Sequence, residues 1–459
     1  MYTIQFQKPI HVHFIGIGGI SMSGLAEILL KEGFRISGSD TKPSELTEKL
    51  TALGATISYP QSADNVTDDI DLVVYTAAIS DDNPELCEVR RRNLPELSRA
   101  ELLGQIMANY PRSIAVSGTH GKTTTTSMLS HILMHAKADP TISVGGILPS
   151  IGGNIRVGSS DTFLTEACEY TNSFLHFYPL YNIILNVDAD HLDFFKDLDD
   201  IRNSFHAFAK QTAPEGALII NGDIPNVEAL TEGVQTTILT FGLDEKNDYY
   251  PANITYDENA NCNFVVCHGD KHLGEVRLRV PGLHNVSNAL SAIALADQLG
   301  IAFSDVAEGL SSFTGTDRRF QFKGTRDGYT IIDDYAHHPT EIAATIAAAR
   351  NTPHERLVIV FQPHTYTRTH ALLGDFAKVL SEADLVVLAD IYAAREKNTI
   401  GISSADLQKE IASYGTPVEY FPDFDAIETF LSKNLQKNDL LITMGAGNVV
   451  EIGEDLLSR

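Results

Sequence analysis

The stretch that decides the fold is AVSGTHGKTTTTSML, residues 115–129. A β-rich run precedes it and a helical pattern follows it, so it joins a strand to a helix. Gly118 and Gly121 let the intervening backbone curl until consecutive N–H groups face one phosphate. Lys122 then brings positive charge to the β- and γ-phosphates, and Thr123 offers a hydroxyl to Mg²⁺. Although the first glycine of the usual phosphate-loop pattern is missing, the stretch predicts an ATP site.

Bulk composition narrows the class of protein. The chain has 459 residues, 43% of them apolar and 20% charged, so two to four globular domains are expected. A formal charge of −26 argues against a general nucleic-acid binder, which needs a basic face. The four cysteines form no CxxC pair, which disfavours structural zinc and disulfides. Because neither a signal peptide nor an apolar run of about 20 residues is found, a cytoplasmic enzyme is predicted.

Alternating strand and helix patterns run along the whole chain and restart twice. Such a rhythm predicts parallel βαβ units, and hence an α/β protein. We predict a Rossmann-like N-terminal domain over 1–107, a central P-loop ATPase domain with a mainly parallel sheet over 108–314, and a Rossmann-like C-terminal domain over 315–459. In these patterns YNIILNVDADH (181–191) is a strand, and the helix after the ATP loop begins with a threonine cap.

An earlier glycine turn, GIGGISMSG (16–24), follows the first predicted strand and opens a helix. That is the setting of a dinucleotide-binding turn, with Asp40 at the tip of the next strand, although Ser21 stands where the pattern requires glycine. Helix N-termini favour anions, so a phosphate or pyrophosphate is expected here. The turn alone does not distinguish NAD from a UDP-sugar, and a bare βα turn is the structural alternative.

Glu166 and His191 are candidate metal ligands because each is predicted to end a strand, where sites of α/β proteins gather. Carboxylate and imidazole suit Mg²⁺ or Mn²⁺ beside a γ-phosphate. Glu169 is an alternative carboxylate, and the spacing to His191 favours Glu166.

Further polar residues cluster behind two strands of the third segment. IIDDYAHHPTEI holds Asp334, His337 and His338, and FQPHTYTRTH holds Arg368, whose fork-shaped cation matches a carboxylate. No GxSxG elbow is present, which disfavours a covalent serine nucleophile. Asn285 and Asn288 share one face of a predicted helix start, where asparagine also serves as a cap, and TGTDRRFQF supplies an arginine pair at 318–319.

Taken with the glycine turn and DDYAHHPTEI, the compressed loop GTHGKTT resembles that of the Mur ligase family. The resemblance covers the whole chain, in order. It implies ATP, with Mg²⁺ or Mn²⁺, as cofactors, and UDP-N-acetylmuramate and L-alanine as substrates in peptidoglycan precursor synthesis. It also implies no nucleic-acid or membrane partner, and it leaves the oligomeric state open.

The resemblance also implies roles for individual residues. UDP-substrate binding falls to Gly16, Gly18, Gly19, Ser21 and Asp40. ATP binding falls to Gly118, Thr119, His120, Gly121, Lys122, Thr123, Thr124, Asn285, Asn288 and Arg319. The catalytic set is Lys122, Glu166, His191, Arg319, Asp334 and His337; the metal ligands are Thr123, Glu166 and His191; and the amino acid meets His338 and Arg368.

The chemistry follows from the substrates. A carboxylate does not react with an amine at neutral pH, but its acyl phosphate does, so ATP would activate the acid before the amine attacks. Asp334, His337 and His338 are all candidates for the base that deprotonates the amine, and closure of the third domain is expected to exclude water. An NAD-dependent dehydrogenase, a P-loop switch or motor, and a ligase that recycles a preformed peptide remain the alternatives.

Overall fold

The structure, a computed structural model, describes residues 2–76, 78–192, 194–257, 260–394 and 396–458. These residues form two compact units. Unit 1 comprises Met1–Val187 and Arg202–Thr240, and unit 2 comprises Asp188–Ile201 and Phe241–Arg459.

The N-terminal part of unit 1 is a parallel sheet with strand order β3-β2-β1-β4-β5. Helices alternate with its strands, as the sequence rhythm predicts. The elements are β1 (His11–Ile15), α1 (Ile20–Lys31), β2 (Arg35–Ser39), α2 (Glu45–Ala52), β3 (Thr56–Ser58), β4 (Leu72–Tyr75), α3 (Pro84–Arg92), β5 (Glu96–Ser98) and α4 (Arg99–Met107).

The second sheet of unit 1 has strand order β12-β11-β10-β6-β9-β7-β8. It is parallel from β11 to β7, and the β7–β8 hairpin is antiparallel. Its elements are β6 (Arg112–Ser117), α5 (Lys122–His135), β7 (Thr141–Leu148), β8 (Gly153–Arg156), β9 (Thr162–Glu166), β10 (Tyr181–Ile184), α6 (Leu198–Ala209), β11 (Ala217–Asn221), α7 (Val227–Thr231) and β12 (Thr237–Phe241).

Helix α1 packs directly on the β7–β8 hairpin. A Cβ placed on Gly24 of α1 would lie 2.1 Å from Cγ1 of Ile155, so only glycine fits at this crossing. Lys31 at the far end of α1 donates hydrogen bonds to the carbonyl oxygens of Val157 and Gly158, both at 2.9 Å. The two sheets of unit 1 are therefore in close contact along α1.

Unit 2 contains an antiparallel three-stranded sheet and a six-stranded sheet of order β16-β17-β21-β18-β19-β20, which is parallel except for β16. The elements are β13 (Tyr249–Tyr256), β14 (Asn261–His268), β15 (Lys271–Pro281), α8 (Leu283–Gln298), α9 (Phe303–Ser312), β16 (Gln321–Arg326), β17 (Tyr329–Asp334), α10 (Pro339–Ala349), β18 (Arg356–Phe361), α11 (Tyr366–Ala371), α12 (Leu373–Leu380), β19 (Leu385–Leu388), α13 (Ser404–Ser413), β20 (Val418–Tyr420), α14 (Phe424–Asn434), β21 (Asp439–Met444) and α15 (Val450–Ser458).

Alternation along β18 shows how the six-stranded sheet is buried. Leu357, Ile359 and Phe361 enter one apolar cluster, whereas Val358 and Val360 enter another. Because successive side chains of a strand point to opposite faces, both faces of this sheet are covered by helices. The predicted α/β class with mainly parallel sheets is confirmed. Among the described residues, no helix is both long and apolar enough to cross a membrane.

Two local predictions are wrong. Strand β10 ends at Ile184, so His191 lies in the following loop and not at a strand end. Its backbone there has a φ of 55°, the left-handed region that few non-glycine residues adopt. Helix α5 begins after Gly121, which is its N-cap, and no side chain caps it.

Candidate active site

The loop between β6 and α5 forms a cradle of backbone N–H groups. Gly118 and Gly121 have φ values of 139° and 85°, which glycine adopts without strain. The N–H groups of residues 121–124 open α5, and none has a protein acceptor within the described part of the chain. Since free N–H groups at a helix N-terminus favour anions, the loop is built to receive phosphate.

Asn186 holds this loop in place, a role that the sequence reasoning missed. Its side chain accepts a hydrogen bond from the His120 N–H at 2.8 Å and donates one to the His120 carbonyl at 2.9 Å. The Thr119 N–H donates to the Asn186 carbonyl at 3.2 Å. Asn186 follows β10, which lies next to β6 in the sheet. The sequence signal for its role is that it is the first polar residue after the strand adjacent to β6.

Lys122 forms an ion pair with Glu169, its Nζ lying 2.9 Å from Oε2. The amine also donates to the Gly118 and Thr119 carbonyls, at 2.5 and 3.1 Å. Burial alone would lower the pKa of Lys122, but the charge of Glu169, with smaller effects from Cys168 and Glu166, raises it above its ordinary value. The lysine is therefore charged at neutral pH and faces the phosphate cradle.

Glu166 lies beside Thr123, separately from the Lys122–Glu169 pair. The Thr123 hydroxyl is 3.2 Å from Oε2 of Glu166, and the Gly145 N–H donates to Oε1 at 2.5 Å. A Cβ on Gly145 would lie 2.7 Å from Oε2, so a larger residue at this corner would displace the carboxylate of Glu166. A hydroxyl and a carboxylate side by side suit Mg²⁺, which supports Glu166 over Glu169 as the metal ligand.

The first glycine turn is held by its own chain. The N–H groups of Gly16 and Ile17 donate to the Ser39 carbonyl at 2.9 and 3.0 Å. That of Gly18 donates to Oδ2 of Asp40 at 2.8 Å. The N–H groups of the predicted turn are therefore occupied, and Asp40 positions the turn. The next three, of residues 20–22, start α1 and have no acceptor among the described residues.

In unit 2 the two adjacent arginines, Arg318 and Arg319, have different contacts. Arg318 donates to Asp333 at 3.0 Å and to the Gly445 and Gly447 carbonyls, both at 2.8 Å, so its guanidinium is bound within the fold. The guanidinium carbon of Arg319 lies 5.3 Å from the centre of the Tyr335 ring, and its Nη1 lies 3.7 Å from Oε1 of Glu341. These contacts support the prediction that Arg319, and not Arg318, is available to a phosphate.

Asp334 anchors the backbone around the arginine pair. Its carboxylate accepts the N–H groups of Phe320 and Ala336, each at 2.7 Å. Burial raises the pKa of Asp334 to about 6, against the opposing effects of Arg319 and these two N–H groups. This predicted catalytic residue therefore shapes the loop, and its position among the candidate bases stays a prediction.

His337 and His364 are adjacent imidazoles with ring centroids 5.6 Å apart. Burial lowers the pKa of His337, opposed by Glu341, whose Oε2 lies 3.3 Å from Nδ1. Burial, with the charges of His337 and Arg368, lowers the pKa of His364 to about 4. Both rings are neutral at pH 7, which is the form that can accept a proton.

Arg368 is paired within unit 2. Its Nε and Nη2 donate to Oδ1 of Asp190 at 3.1 and 2.9 Å, and its Nη1 lies 3.1 Å from Nδ1 of His364. Burial would raise the pKa of Asp190, but Arg368 and His191 hold it well below its usual range. An amino-acid carboxylate would have to share or replace Asp190, so this predicted contact stays a prediction.

His338 contacts the backbone of two segments, and its predicted role as an amino-acid ligand stays a prediction. Its Nδ1 accepts the Thr340 N–H at 3.3 Å and caps α10, and its Nε2 donates to the Ala189 carbonyl at 3.1 Å. Both ring nitrogens contact backbone groups, and 4% of the residue is exposed. His191 follows this tethered segment, with its Nε2 3.9 Å from Oδ2 of Asp190.

Asn285 and Asn288 bond to each other at the start of α8. The Asn288 amide donates to Oδ1 of Asn285 at 3.2 Å, and the Asn285 amide donates to the Pro281 carbonyl at 2.7 Å. Each is 7% exposed. The predicted shared face is present, and the contacts are those of an ordered helix start.

The fit of ATP and a divalent ion can be judged from unit 1. Four successive free N–H groups and a charged lysine suit phosphate oxygens, and a Thr–Glu oxygen pair next to them suits Mg²⁺. The residues present therefore fit both groups.

Three family descriptions match the chain in succession. Residues 11–111 match the Mur ligase family catalytic domain, 116–296 the Mur ligase middle domain, and 318–447 the Mur ligase glutamate ligase domain. Together these ranges span most of the chain.

Relatives match over their full length. UDP-N-acetylmuramate–L-alanine ligase of Agathobacter rectalis is 62% identical over 459 residues, covering 100% of both chains. The enzyme of the same name from Lachnospira eligens is 57% identical, again over 100% of both. The crystal structure of UDP-N-acetylmuramate-alanine ligase from Thermotoga maritima is 32% identical, with a TM-score of 0.79, covering 98% of this chain and 99% of that one. A murein peptide ligase from Psychrobacter arcticus is 26% identical, with a TM-score of 0.69 and 98% coverage of both chains.

Proposed function

The chain belongs to the Mur ligase family, and on that basis we propose that it joins L-alanine to the carboxylate of UDP-N-acetylmuramic acid, converting ATP to ADP and phosphate. The observation that carries this function is the unit 1 corner where the free N–H groups of α5 and Lys122 adjoin the Thr123–Glu166 pair. The reaction belongs to peptidoglycan precursor synthesis. We place it in the cytoplasm, where ATP is made.

Lys122 and the N–H groups of residues 121–124 hold the phosphates of ATP. Charge spreads over the oxygens of a phosphoryl group during transfer, and fixed cations and N–H dipoles stabilise it without reorganising. The Thr123 hydroxyl and Glu166 hold the divalent ion, which supplies further positive charge when bound. His191 as a further ligand stays part of the proposal.

The phosphoryl group moves to the sugar acid's carboxylate, giving an acyl phosphate with a good leaving group. The amine of L-alanine then attacks the carbonyl carbon, the C–O bond to phosphate breaks, and the ammonium proton passes to a base. His337 fits this last task best, because it is neutral and next to Glu341, which stabilises the ring once it is protonated. Closure of the C-terminal domain during the reaction stays a prediction.

A peptide-recycling ligase is the second candidate, since the Psychrobacter arcticus murein peptide ligase has the same fold. The 57–62% identity to alanine ligases over the full length favours the amino acid as acceptor. A dehydrogenase leaves the ATP loop without use, and a P-loop switch leaves the first glycine turn without use.

The test is phosphate release with UDP-N-acetylmuramate, ATP and Mg²⁺, with each of alanine, glycine, serine or a preformed tripeptide as acceptor. Release that needs both the UDP-sugar and alanine is the expected result. Selectivity among the small amino acids should amount to about 1–3 kcal/mol per group changed. Equal release without any UDP-sugar would contradict the function, and release only with the tripeptide would identify the recycling enzyme.

A further inference from the structure

Glu169 lies behind the ATP loop and is almost completely buried. Its side chain is 2% exposed, and its Oε1 and Oε2 atoms lie 3.2 and 2.9 Å from Nζ of Lys122. Strand β9 ends three residues earlier, at Glu166. The Ala167 N–H donates to the Val116 carbonyl at 2.8 Å, so the chain beyond β9 still runs beside the start of the ATP loop. That course brings Glu169 to Lys122.

A strained turn follows Glu169 and fixes its direction. Thr171 and Asn172 have φ values of 55° and 56°, in the left-handed region that non-glycine residues visit singly. The Asn172 N–H donates to the Glu169 carbonyl at 2.9 Å, and the Phe174 N–H donates to the Cys168 carbonyl at 3.0 Å. The Phe174 side chain is fully buried and anchors the far end of the turn. Strain of this kind persists where the surrounding contacts enforce it, and it gathers at functional sites.

The N–H groups of the Lys122 ammonium are all engaged within the protein. An ammonium has three donors. One reaches the Gly118 carbonyl at 2.5 Å, one the Thr119 carbonyl at 3.1 Å, and the third Glu169. A phosphate that binds Lys122 must therefore replace one of these partners. The two carbonyls belong to the loop that forms the cradle, whereas the charge of Glu169 repels a phosphate, so Glu169 is the partner that yields.

We propose that Glu169 is a positioning residue of the phosphoryl transfer and that it acts through Lys122. Its charge holds the ammonium at the cradle, and it yields one N–H group of Lys122 to the γ-phosphate when ATP binds. The pair therefore weakens ATP binding, but it fixes the position from which Lys122 meets the transferring phosphoryl group. This inference rests on the proposed function.

The test measures affinity and rate separately. Wild type, Glu169→Gln and Glu169→Asp are titrated by calorimetry with a non-hydrolysable ATP analogue, ADP and AMP. Single-turnover phosphate release is measured with ATP, UDP-N-acetylmuramate and alanine. Glu85→Gln is the matched control for affinity, because it makes the same change at a buried carboxylate of unit 1 that accepts hydrogen bonds from Ser39 and Asn65. Thermal unfolding of each variant reports folding.

Glu169→Gln should tighten binding of the ATP analogue and of ADP about tenfold, because a negative charge that competes for Lys122 is removed. The single-turnover rate should instead fall about 10- to 100-fold, because Lys122 is no longer held in position. AMP lacks the phosphates that Lys122 contacts, so its affinity should change less than about twofold, as should every affinity in Glu85→Gln.

Two further variants show whether Glu169 acts through Lys122. Glu169→Asp keeps the charge on a shorter side chain, so it should lie between wild type and Glu169→Gln in both affinity and rate. It carries the test if Glu169→Gln does not fold. In a Lys122→Ala background, Glu169→Gln should cause no further loss of rate, because the residue through which it acts is already gone.

Four results would overturn the assignment. Unchanged affinity and rate in Glu169→Gln would remove Glu169 from the reaction, and a loss of both would mean that it only maintains the shape of the loop. A further loss of rate in the Lys122→Ala background would mean that it does not act through Lys122. A raised Mg²⁺ requirement in Glu169→Gln would make it a metal ligand. If wild type does not bind the ATP analogue, the proposed function itself fails, whatever Glu169 does.

Discussion

Nζ of Lys122 lies 2.9 Å from the carboxylate of Glu169, and 16% and 2% of these two side chains are exposed. The two acidic residues at and after the end of β9 therefore have different partners. Glu169 pairs with Lys122, and Glu166 lies beside Thr123. Replacing Lys122 by Ala should cut turnover on the order of 10³-fold, since a fixed cation at the transferring phosphoryl is lost.

Lys122→Ala also removes the positive charge that neutralises the buried Glu169, so the double change Lys122→Ala, Glu169→Gln is the matched control for folding. Single-turnover kinetics with urea unfolding would separate the two effects. Near wild-type turnover in the folded double variant would contradict the role of Lys122.

Gly145→Ala should weaken the use of Mg²⁺, because the added methyl group would lie 2.7 Å from Oε2 of Glu166 and displace it. We expect the Mg²⁺ concentration for half-maximal rate to rise about tenfold, as for other changes that reorient a ligand. Gly153→Ala is the control, since a Cβ there meets nothing within 4 Å. A Mg²⁺ requirement that moves in Glu169→Ala but not in Glu166→Ala would reverse the assignment of the two carboxylates.

Asn186→Ala removes the two side-chain bonds that hold His120 in the ATP loop. The KM for ATP should rise about tenfold and the free energy of unfolding should fall by about 1–2 kcal/mol. Asn434→Ala, which removes one exposed amide on α14, serves for comparison. An unchanged KM for ATP would show that the loop keeps its shape without Asn186.

Variants of Arg368 and Asp190 test whether the carboxylate of the amino acid binds Arg368, which is paired with Asp190. If Arg368 binds it, Arg368→Ala should raise the KM for alanine about 10- to 100-fold and leave that for ATP nearly unchanged. Asp190→Asn keeps the fork, so it should destabilise the fold by about 3 kcal/mol while the KM for alanine changes little. Equal effects of Arg368→Ala on both substrates would assign Arg368 to the nucleotide or to the fold.

His364 should make stability depend on acid pH. Its pKa is about 4 in the fold against 6.5 in the unfolded chain, so between these values only the unfolded chain takes up the proton. The stabilisation is complete above pH 6.5 and is lost as the pH falls towards 4. The free energy of unfolding, measured in urea, should differ between pH 7.5 and pH 4.5. After allowance for the partial exposure of His364, the variant His364→Gln should make that difference smaller by about 2 kcal/mol.

Local patterns in the sequence predicted most of the strands, the two glycine turns and the position of Glu166 at the end of β9. They did not predict Asn186, because its contact with the ATP loop depends on β10 lying next to β6. The strand assignment failed after Ile184, since the polar run from Asn186 onward bonds to loops and not to a neighbouring strand.

The crossing of α1 and the β7–β8 hairpin at Gly24 leaves no room for even a methyl group. The helix that presents residues 20–22 is thereby fixed to the hairpin that carries Gly145 and holds Glu166. Under the proposed function the UDP-sugar binds at the first glycine turn and its carboxylate meets the ATP loop, so this crossing fixes the distance that the sugar acid has to span. An acid one carbon longer or shorter would place its carboxylate about 1.5 Å from the position that suits phosphoryl transfer. A misplacement of about 1 Å can cost on the order of 100-fold in rate. The length of the acid would then decide which substrate reacts, with no side chain needed to recognise the extra or missing carbon.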